Sequence, residues 1–591
     1  MLKTELFKSR DAVVLALVGL AAMLIAFWGF SICSTAACHA VPLAGVGEKL
    51  LASFKLVIGG GGGYALEKGD PIQLVLAQFT VYGIVAAYGT IKVVVFNLHR
   101  DLRVALAQRK RGHTIVCGLG DMGMQVVQNL RDLKQDAVAI DLKSDSHYAL
   151  TCERQGVPCL KGDAKNRQML RLAGIARAAT IVVCTGDDAE NIEIALRIKQ
   201  YLAQSGARRS RRLLVLVDMR SDWLFAKLVD YDRELGSAAV ELRLFNNYDN
   251  AARLLVQALL PRSSTTSAAT FVVIGFGTMG RDVAMHVIRA APVPLGQTIE
   301  LLALDREANE RSRLLLDAVP CVADVAKLAF VAADLHADNP AAWQAVEARL
   351  RGKDLLGIAV CVHDDDASLY IALSLRTLLD RMGQSDVPIY VRLEHHRCLG
   401  QLAASIEDDG AAATRIVAFG SLEELLTPDI LIADRLDALA KALHENHRAS
   451  LNEKDRAQPH GRPWSELAEL YKMSSRREAD HIPIKLRLSG FEMEKSAAPE
   501  LIDFTPAELE LIAQLDHQRW LIERRLLGWR PGPVRDNTAR IHPDLVAWRE
   551  LSPETRAKNI IRMQGLPQIL ARAGFEIVRR RSTGIVSVAG T

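Results

Sequence analysis

The sequence predicts a membrane α-hairpin followed by two α/β domains and a mainly α-helical C-terminal domain. Three observations support this fold class: two long uncharged segments near the N-terminus, two copies of a glycine-rich motif that each follow a short apolar strand, and a concentration of tryptophan in the last part of the chain. A chain of 591 residues is long enough for roughly three to five domains. We predict domains at 1–111, 112–262, 263–436 and 437–591.

Two uncharged segments predict the two transmembrane helices. Residues 12–33 and 71–91 contain no charged side chain, and about 20 apolar residues cross a hydrocarbon core of ~30 Å. A cleaved signal peptide is the alternative for the first segment, which is long for that purpose. Basic residues before the first segment and after the second place both termini and the bulk of the chain in the cytoplasm. The sequence therefore predicts a multi-pass protein of the bacterial inner membrane.

The segment between the two predicted helices has the order of a pore module. An amphipathic stretch at 46–58 precedes five glycines, Gly59 to Gly63, and the second uncharged segment follows. A short helix and a glycine-rich turn between two spanning helices can present backbone carbonyls to ions. The glycines depart from the potassium-filter pattern Thr-Val-Gly-Tyr-Gly, and a flexible loop is the alternative. The order favours a pore and leaves its ion selectivity open.

Charge and cysteine content exclude some classes of function. Lys and Arg total 73 against 69 for Asp and Glu, so no excess of positive charge indicates nucleic-acid binding. The cysteines have no metal-ligand spacing such as C-x-x-C. His363 and the three aspartates after it could bind a divalent cation, but acids at a helix start also interact favourably with the helix dipole. We assign no metal site and no catalytic residue.

The first glycine motif follows the apolar strand that ends at Cys117. It comprises Gly118, Gly120 and Gly123, spaced as G-x-G-x-x-G before an amphipathic stretch, which is the context of a dinucleotide-binding βαβ unit. The next predicted strand ends at Asp141, where a carboxylate could accept hydrogen bonds from ribose hydroxyls. Downstream, Gly162-Asp163-Ala164 and Thr185-Gly186-Asp187 each follow a further apolar strand. These strand ends are predicted to line one crevice.

The second motif repeats the first. Gly275, Gly277 and Gly280 follow the strand that starts at Phe271, and a second strand ends at Asp305. At a constant offset of 177 residues, six positions near the fourth strand are identical between the two copies. An internal repeat of this kind indicates two domains of the same fold.

These ordered features resemble the regulator-of-potassium-conductance (RCK) family, whose domains are also called TrkA-N domains. The resemblance covers about residues 112–435 and implies Rossmann-like lobes that bind NAD or another adenine nucleotide and assemble into rings on a two-helix pore. In the first lobe it assigns the ligand positions Gly118, Gly120, Gly123, Asp141, Asp163 and Asp187. In the second it assigns Gly275, Gly277, Gly280 and Asp305, but the Gly-Asp pair is missing and a structural role is expected. Glycines that serve only close strand–helix packing are the alternative in both lobes.

The C-terminal domain differs from the two lobes. Four of the seven tryptophans lie between Trp464 and Trp548, and a capping box at Thr505–Glu508 predicts a helix to about Leu527. The spaced His-Trp, Gly-Trp and His-Pro pairs resemble the RyR domain, the repeat named for ryanodine receptors. That resemblance implies a sensor of a nucleotide-like ligand, for which His517, Trp520 and Arg524 offer a ring, a stacking surface and a cation on one helix face. Core packing by the tryptophans is the alternative.

The predicted function is a ligand-gated cation channel, or channel-like membrane effector, controlled by nucleotide binding to the RCK and RyR domains. Its expected partners are the membrane, a nucleotide-like ligand and a monovalent cation, with potassium among the candidates, and its expected state is a homotetramer. No enzymatic activity is expected. The alternatives are a regulatory subunit of a potassium transporter without its own pore, and a membrane-anchored NAD-dependent oxidoreductase.

Overall fold

The computed structural model describes most of the chain after residue 103. The described residues are seven positions between 21 and 31, then 45–57, 104–143, 146–205, 211–220, 240–259, 269–291, 295–335, 339–394 and 416–580. Contacts divide the chain into two units. Unit 1 comprises residues 1–109 and 143–160, and unit 2 comprises 110–142 and 161–591. We describe each unit by itself.

The described residues of unit 1 do not form the predicted hairpin. Its helices are α1 (Val46–Val57) and α3 (His147–Arg154), and the 12 residues of α1 extend about 18 Å at ~1.5 Å per residue, too little for a bilayer core. The two longest helices of unit 2 have the length but are rich in charge. No helix among the described residues is both long and apolar enough to cross a membrane. The predictions of two transmembrane helices and of a multi-pass inner-membrane location are therefore wrong for these residues.

Several parts of that prediction lie outside the described residues. Only seven positions of the first predicted span are described, and the second span and the five glycines are not described at all. The amphipathic stretch is described, and it forms α1.

The first lobe is an α/β domain with a parallel sheet. Its strands are β1 (Thr114–Cys117), β2 (Ala137–Asp141), β3 (Cys159–Lys161), β4 (Thr180–Val183), β5 (Leu213–Asp218) and β6 (Val240–Phe245). In unit 2 the strands pair in parallel in the order β2-β1-β4-β5-β6. Its helices in that unit are α2 (Asp121–Asp132), α4 (Arg167–Leu172), α5 (Asp188–Ser205) and α6 (Asn247–Ala258). The strands are runs of β-branched and aliphatic residues because helices cover both faces of such a sheet.

The second lobe repeats this plan with a complete six-stranded sheet. Its strands are β7 (Ala269–Ile274), β8 (Glu300–Asp305), β9 (Lys327–Ala332), β10 (Asp354–Val360), β11 (Ile389–Arg392) and β12 (Ile416–Phe419). The order is β9-β8-β7-β10-β11-β12, the order of a dinucleotide-binding fold. Its helices are α7 (Thr278–Ala290), α8 (Ala308–Ala318), α9 (Pro340–Leu350), α10 (Asp365–Arg381), α11 (Leu422–Leu425) and α12 (Pro428–Leu431).

The C-terminal domain consists mainly of helices. They are α13 (Ala438–Ser450), α14 (Glu453–Arg456), α15 (Glu469–Leu488), α16 (Pro506–Leu526), α17 (Pro553–Gln564) and α18 (Leu566–Arg572). Strands β13 (Phe491–Lys495) and β16 (Phe575–Arg579) pair antiparallel, and the two-residue strands β14 (Arg530–Pro531) and β15 (Ile541–His542) pair in parallel. Thr505 and Glu508 form the predicted capping box, so the predicted start of α16 is confirmed.

The two lobes exchange helices. Helix α6 follows the last strand of the first lobe, yet Ala252, Leu255 and Val256 belong to the hydrophobic core of the second lobe. In return, the Asn129 amide of α2 donates a hydrogen bond of 3.1 Å to the Glu423 carbonyl of α11. Each lobe therefore supports the other through an element that the chain order assigns elsewhere.

Candidate functional site

The first and third glycines of the first motif, Gly118 and Gly123, lie where there is no space for a side chain. Gly118 has φ +97°, and a Cβ there would lie 2.7 Å from the Cys184 carbonyl oxygen. A Cβ at Gly123 would lie 1.9 Å from the Gly118 carbonyl oxygen. These two glycines bring α2 against the ends of β1 and β4, which fixes the position of the helix N-terminus.

The second glycine of the motif faces open space. Gly120 is the N-cap of α2 with extended backbone angles and no side-chain cap, and a Cβ built there meets nothing within 4 Å. The first N–H groups of an α-helix have no partner within the helix, and the helix dipole favours negative charge at that end. The loop thus has the space and the donors that a phosphate needs.

The acid at the end of β2 is tied to the glycine loop. An Asp141 carboxylate oxygen accepts a hydrogen bond of 2.7 Å from the Leu119 backbone N–H. The Asp141 carbonyl also accepts from Gly162 N–H at 2.9 Å. Asp141 is half-buried beside the loop, in the position where the sequence predicts a ribose contact. The structure thus brings the three glycines and Asp141 together.

The other two predicted acids make local contacts. Asp163 accepts from the Lys165 backbone N–H at 2.8 Å, and the Lys165 ammonium lies 3.8 Å from the other Asp163 oxygen. Asp187 accepts from Glu190 N–H at 2.8 Å, at the start of α5. Both acids thus stabilise turns at the strand ends, and a direct role in ligand binding stays a prediction.

Sequence reasoning missed Arg220, Asp218 and Asn191. Arg220 lies just after β5, its guanidinium 3.2 Å from the Met122 sulfur of α2 and 3.4 Å from the Asp218 carboxylate. Burial raises the pKa of Asp218 to about 6. The buried Asn191 side chain accepts from Thr185 N–H at 2.9 Å and donates to the Asp218 carbonyl at 3.0 Å. The sequence predicts that a strand ends near Asp218, but no known motif includes an arginine at the position of Arg220.

The second glycine motif has the same local geometry. Gly275 has φ +82°, a Cβ at Gly280 would lie 2.1 Å from the Gly275 carbonyl oxygen, and a Cβ at Gly277 meets nothing within 4 Å. Asp305 accepts from Phe276 N–H at 2.6 Å. Its other carboxylate oxygen accepts from Glu307 N–H at 2.8 Å. Both oxygens of this acid are therefore engaged within the loop.

The crevice of the second lobe contains an internal ion pair. Arg392, at the end of β11, is buried and pairs with Glu394. Its guanidinium also lies over the Tyr248 ring at 5.4 Å and 3.4 Å from His363 Nδ1. Asp364, one of the three aspartates after His363, caps α10 by accepting from Ala367 N–H at 2.8 Å. Arg392 is the last residue of β11, as Asp218 is the last residue of β5 in the first lobe, so an ion pair lies at this strand end of the second lobe.

The three predicted ligand residues of the C-terminal domain lie together. The rings of His517 and Trp520 stack at 5.7 Å, and the Arg524 guanidinium lies 5.8 Å from the Trp520 ring and 5.3 Å from the Trp529 ring. His517 Nε2 is 2.9 Å from the Val546 carbonyl oxygen, and burial lowers the pKa of this histidine. The cluster contains the predicted ring, stacking surface and cation. The Arg524 guanidinium, however, already contacts the indoles of Trp520 and Trp529. Whether it binds a ligand stays a prediction.

Comparisons with known proteins identify two domains. The TrkA-N domain model matches residues 114–210, and the RyR domain model matches residues 503–579. The first match covers β1 to α5 with the glycine loop, and the second covers the tryptophan cluster. The two resemblances are therefore confirmed for residues 114–210, which match the TrkA-N domain, and for residues 503–579, which match the RyR domain.

Similar proteins are known at lower coverage. An uncharacterized protein of Methanothermus fervidus is 32% identical over 90 residues, which are 15% of this chain and 14% of that protein. The match thus spans about a seventh of the length of this curated relative. A solved structure of GsuK bound to ADP is 17% identical, with a TM-score of 0.39, over 73% of this chain and 99% of that one. The GsuK channel bound to NAD is 14% identical, with a TM-score of 0.40, over 75% and 86%.

Proposed function

We propose that this chain is a nucleotide-binding regulatory protein whose first lobe binds NAD or another adenine nucleotide. The observation that supports this proposal best is the open space at Gly120, in a glycine loop that the TrkA-N domain match covers. The N-terminus of α2 would hold the phosphates, Arg220 would neutralise part of their charge, and Asp141 would face the ribose. Asp163 and Asp187 would shape the rim of the crevice.

A valine at position 120 tests this proposal. The backbone of Gly120 is extended and its Cβ direction is open, so Gly120→Val should fold while its side chain fills the phosphate position. Gly277→Val is the matched control because it introduces the same side chain into the same geometry in the second lobe. Calorimetry with NAD, ADP and ATP should show binding to wild type and to the control, and none to the first lobe of Gly120→Val. Equal affinity in both variants would contradict the assignment.

The second lobe is proposed to be structural. The support is that both Asp305 oxygens accept hydrogen bonds within the lobe and that Arg392, at the end of β11, pairs with Glu394. A ligand position at Gly275, Gly277 and Gly280 is the alternative, and a nucleotide stoichiometry that Gly277→Val reduces would support it.

We propose that the protein regulates the transport of a monovalent cation, and potassium is the first candidate. The support is the match to the TrkA-N domain, together with the match to the RyR domain, for which we propose a second ligand site. Rubidium uptake by cells that express the full chain tests the proposal. Uptake should change with the wild-type chain and should lose that change with Gly120→Val, whereas equal uptake with both would contradict it.

We further propose ligand binding without redox catalysis. The thiols nearest the glycine loop are poor nucleophiles, because burial raises the pKa of Cys117 to about 12 and that of Cys184 well above its usual value. The alternative, an NAD-dependent oxidoreductase, requires steady oxidation of NADH by the purified protein. We also propose a homotetramer, which light scattering on the full chain would test.

The RyR domain is proposed to bind a nucleotide-like ligand at His517, Trp520 and Arg524. If it does, Trp520→Ala should lose a base–aromatic stack and roughly 5- to 150-fold in affinity, equivalent to ~1–3 kcal/mol. Arg524→Ala should lose affinity as well and show a weaker salt dependence. If the cluster only packs the domain, Trp520→Ala should lower the melting temperature and neither variant should affect nucleotide binding.

A further inference from the structure

A cavity of about 770 Å³ lies between the second lobe and the C-terminal domain. Its walls come from the end of α7 and the residues after it, from α15 and α16, and from the segment that contains Trp548. Sites for drug-sized ligands have volumes of roughly 300–1,000 Å³. Of the proposed ligand cluster the lining includes His517 but neither Trp520 nor Arg524, so the cavity adjoins that cluster, and it includes no residue of the first-lobe glycine loop.

The cavity lining carries an excess of positive charge. Its carboxylates are Asp324 and Glu510, and Glu510 already accepts a hydrogen bond from the Trp548 indole at 3.4 Å. Its arginines are Arg289, Arg519, Arg525, Arg549 and Arg556. Of these, only Arg519 forms a salt bridge with another described residue. The lining thus has five guanidinium groups and two carboxylates, and four of the guanidinium groups form no salt bridge with a described residue.

Two deeply buried nitrogens in the lining lack hydrogen-bond partners. His481 and Arg519 are 5% exposed, and among the described residues neither His481 Nδ1 nor Arg519 Nε has a hydrogen-bond partner. Arg519 Nε lies 3.6 Å from an Asp516 oxygen, beyond hydrogen-bond distance. A buried polar group without a partner costs roughly 1–3 kcal/mol, so such groups are usually satisfied by something the fold is built to receive.

Arg289, near the end of α7, is the arginine that the second lobe contributes to the lining. Its Nε is buried without a hydrogen-bond partner among the described residues. Burial, together with the nearby Arg477, lowers the pKa of Arg289 to about 10, although the carboxylates of Asp249, Glu523 and Asp282 act in the opposite direction. None of these carboxylates forms a salt bridge with Arg289 among the described residues, and the other walls of the cavity carry further arginines. Arg289 could therefore still pair with an anionic ligand.

We propose that this cavity is a second ligand site, which binds an organic anion with phosphate groups and a planar ring, as in a nucleoside diphosphate. The arginines would hold the phosphates in charge-assisted hydrogen bonds. The ring would lie against the apolar wall, which includes Leu515, Ile522 and the Trp548 indole. Because one wall belongs to the second lobe and the other to the RyR domain, the ligand would bridge the two.

Calorimetry in a Gly120→Val background tests the proposal separately from the first-lobe site. The probes are ADP, GDP, UDP and inorganic pyrophosphate. At least one nucleoside diphosphate should bind, at least about tenfold more tightly than pyrophosphate, and Arg556→Ala should weaken it by about tenfold or more. The control is Arg572→Ala, an exposed arginine outside the cavity, which should leave the affinity unchanged.

The outcomes separate the two sites. Failure of all three nucleotides to bind the Gly120→Val protein, or unchanged affinity in Arg556→Ala, would overturn the cavity proposal and leave the first-lobe proposal standing. Binding that Arg556→Ala weakens and Gly120→Val leaves intact would support the cavity even if the first lobe bound nothing.

Arg289→Met adds a readout in the ligand-free protein. Arg289 is half-buried, and its Nε has no hydrogen-bond partner among the described residues. Removing this cation should raise the melting temperature without ligand and abolish the extra stabilisation by ligand. A lower melting temperature without ligand would mean that Arg289 is a structural residue, which would also contradict the proposal.

Discussion

The glycines of the first motif have different structural roles, although the sequence pattern does not distinguish between them. Gly123 allows α2 to touch the end of β1, whereas Gly120 leaves a space that the protein itself does not use. The sequence predicts both positions from their spacing, but it cannot say which one is required by the fold. That distinction depends on which atoms lie opposite, and those belong to residues before and after the motif.

Gly123→Ala should therefore destabilise the protein, while a change at Gly120 should not. The added Cβ would lie 1.9 Å from the Gly118 carbonyl oxygen, so α2 would have to move, at a cost of about 1–3 kcal/mol. Gly120→Ser is the control, since serine is a favourable N-cap residue and has room. Urea denaturation of both variants measures the difference. If the two variants were equally stable, α2 would be able to move away from Gly118 without a loss in the free energy of unfolding.

Asp218 should make stability depend on pH. Burial holds its pKa at about 6 in the folded chain, above the ~3.9 of an unfolded aspartate. The folded state therefore binds more protons between these values, and the free energy of unfolding falls as pH rises from about 4 to 6. Asp218→Asn should remove this loss, worth about 3 kcal/mol in total. Denaturation curves of both proteins between pH 4 and 7.5 measure it, and parallel pH profiles would refute it.

At the scale of elements, buried ion pairs join α6 to the C-terminal domain. The Arg253 guanidinium of α6 donates to Asp480 at 2.8 and 3.1 Å and to Asp437 at 3.0 Å. Arg476 also pairs with Asp437. All of these carboxylates are buried. The network fixes α15 and the start of α13 against a helix that the chain order places in the first lobe.

Arg253→Met should destabilise the chain by about 3–5 kcal/mol, because it leaves two carboxylates buried with incomplete compensation. The exposed pair of Arg197 with Glu193, 3.4 Å apart on α5, provides the control. Arg197→Met should change the free energy of unfolding by no more than ~0.5 kcal/mol. Thermal and urea denaturation measure both variants, and a loss at Arg253 as small as that at Arg197 would contradict the role of the network.

The elements differ in how well the sequence predicts them. The strand before Gly118, the helix after it and the capping box at Thr505 follow from local patterns, and the structure has all three. The contact of Arg253 with Asp480 joins residues 227 positions apart and leaves no periodic signal. The same holds for Arg220 beside α2 and for the arginines around the cavity. The hairpin prediction used hydrophobicity alone, and the described helices did not confirm it.

At the scale of the whole molecule, the second lobe and the C-terminal domain share a hydrophobic core. Ile484 of α15 is fully buried within the second-lobe cluster, and Leu488, Ile522 and Leu526 pack against that cluster. A boundary at residue 436, placed from turn signals, separates two folds, and the C-terminal domain also has a core of its own, but Ile484 belongs to the core of the second lobe. The tryptophan pattern indicates the fold of the C-terminal domain, but it does not predict that this domain packs against the second lobe.

Ile484→Ala should destabilise both the second lobe and the C-terminal domain. The loss of a buried isoleucine side chain costs about 2–5 kcal/mol, and because the core is shared, hydrogen exchange should accelerate in α7 as well as in α15 and α16. The control is Ile561→Ala, since this isoleucine of α17 is 63% exposed. Faster exchange confined to the C-terminal domain would mean that the two parts unfold independently.

The Arg253 network also sets an order of events during synthesis. Arg253 leaves the ribosome 227 residues before Asp480, a delay of about 10–45 s at ~5–20 residues per second. The second-lobe sheet that covers the apolar side of α6 ends at Phe419, so it is synthesised after α6 but before Asp480. Until that sheet is complete, the nascent first lobe carries an amphipathic helix whose apolar side is exposed, and we expect a chaperone to bind the chain in this interval.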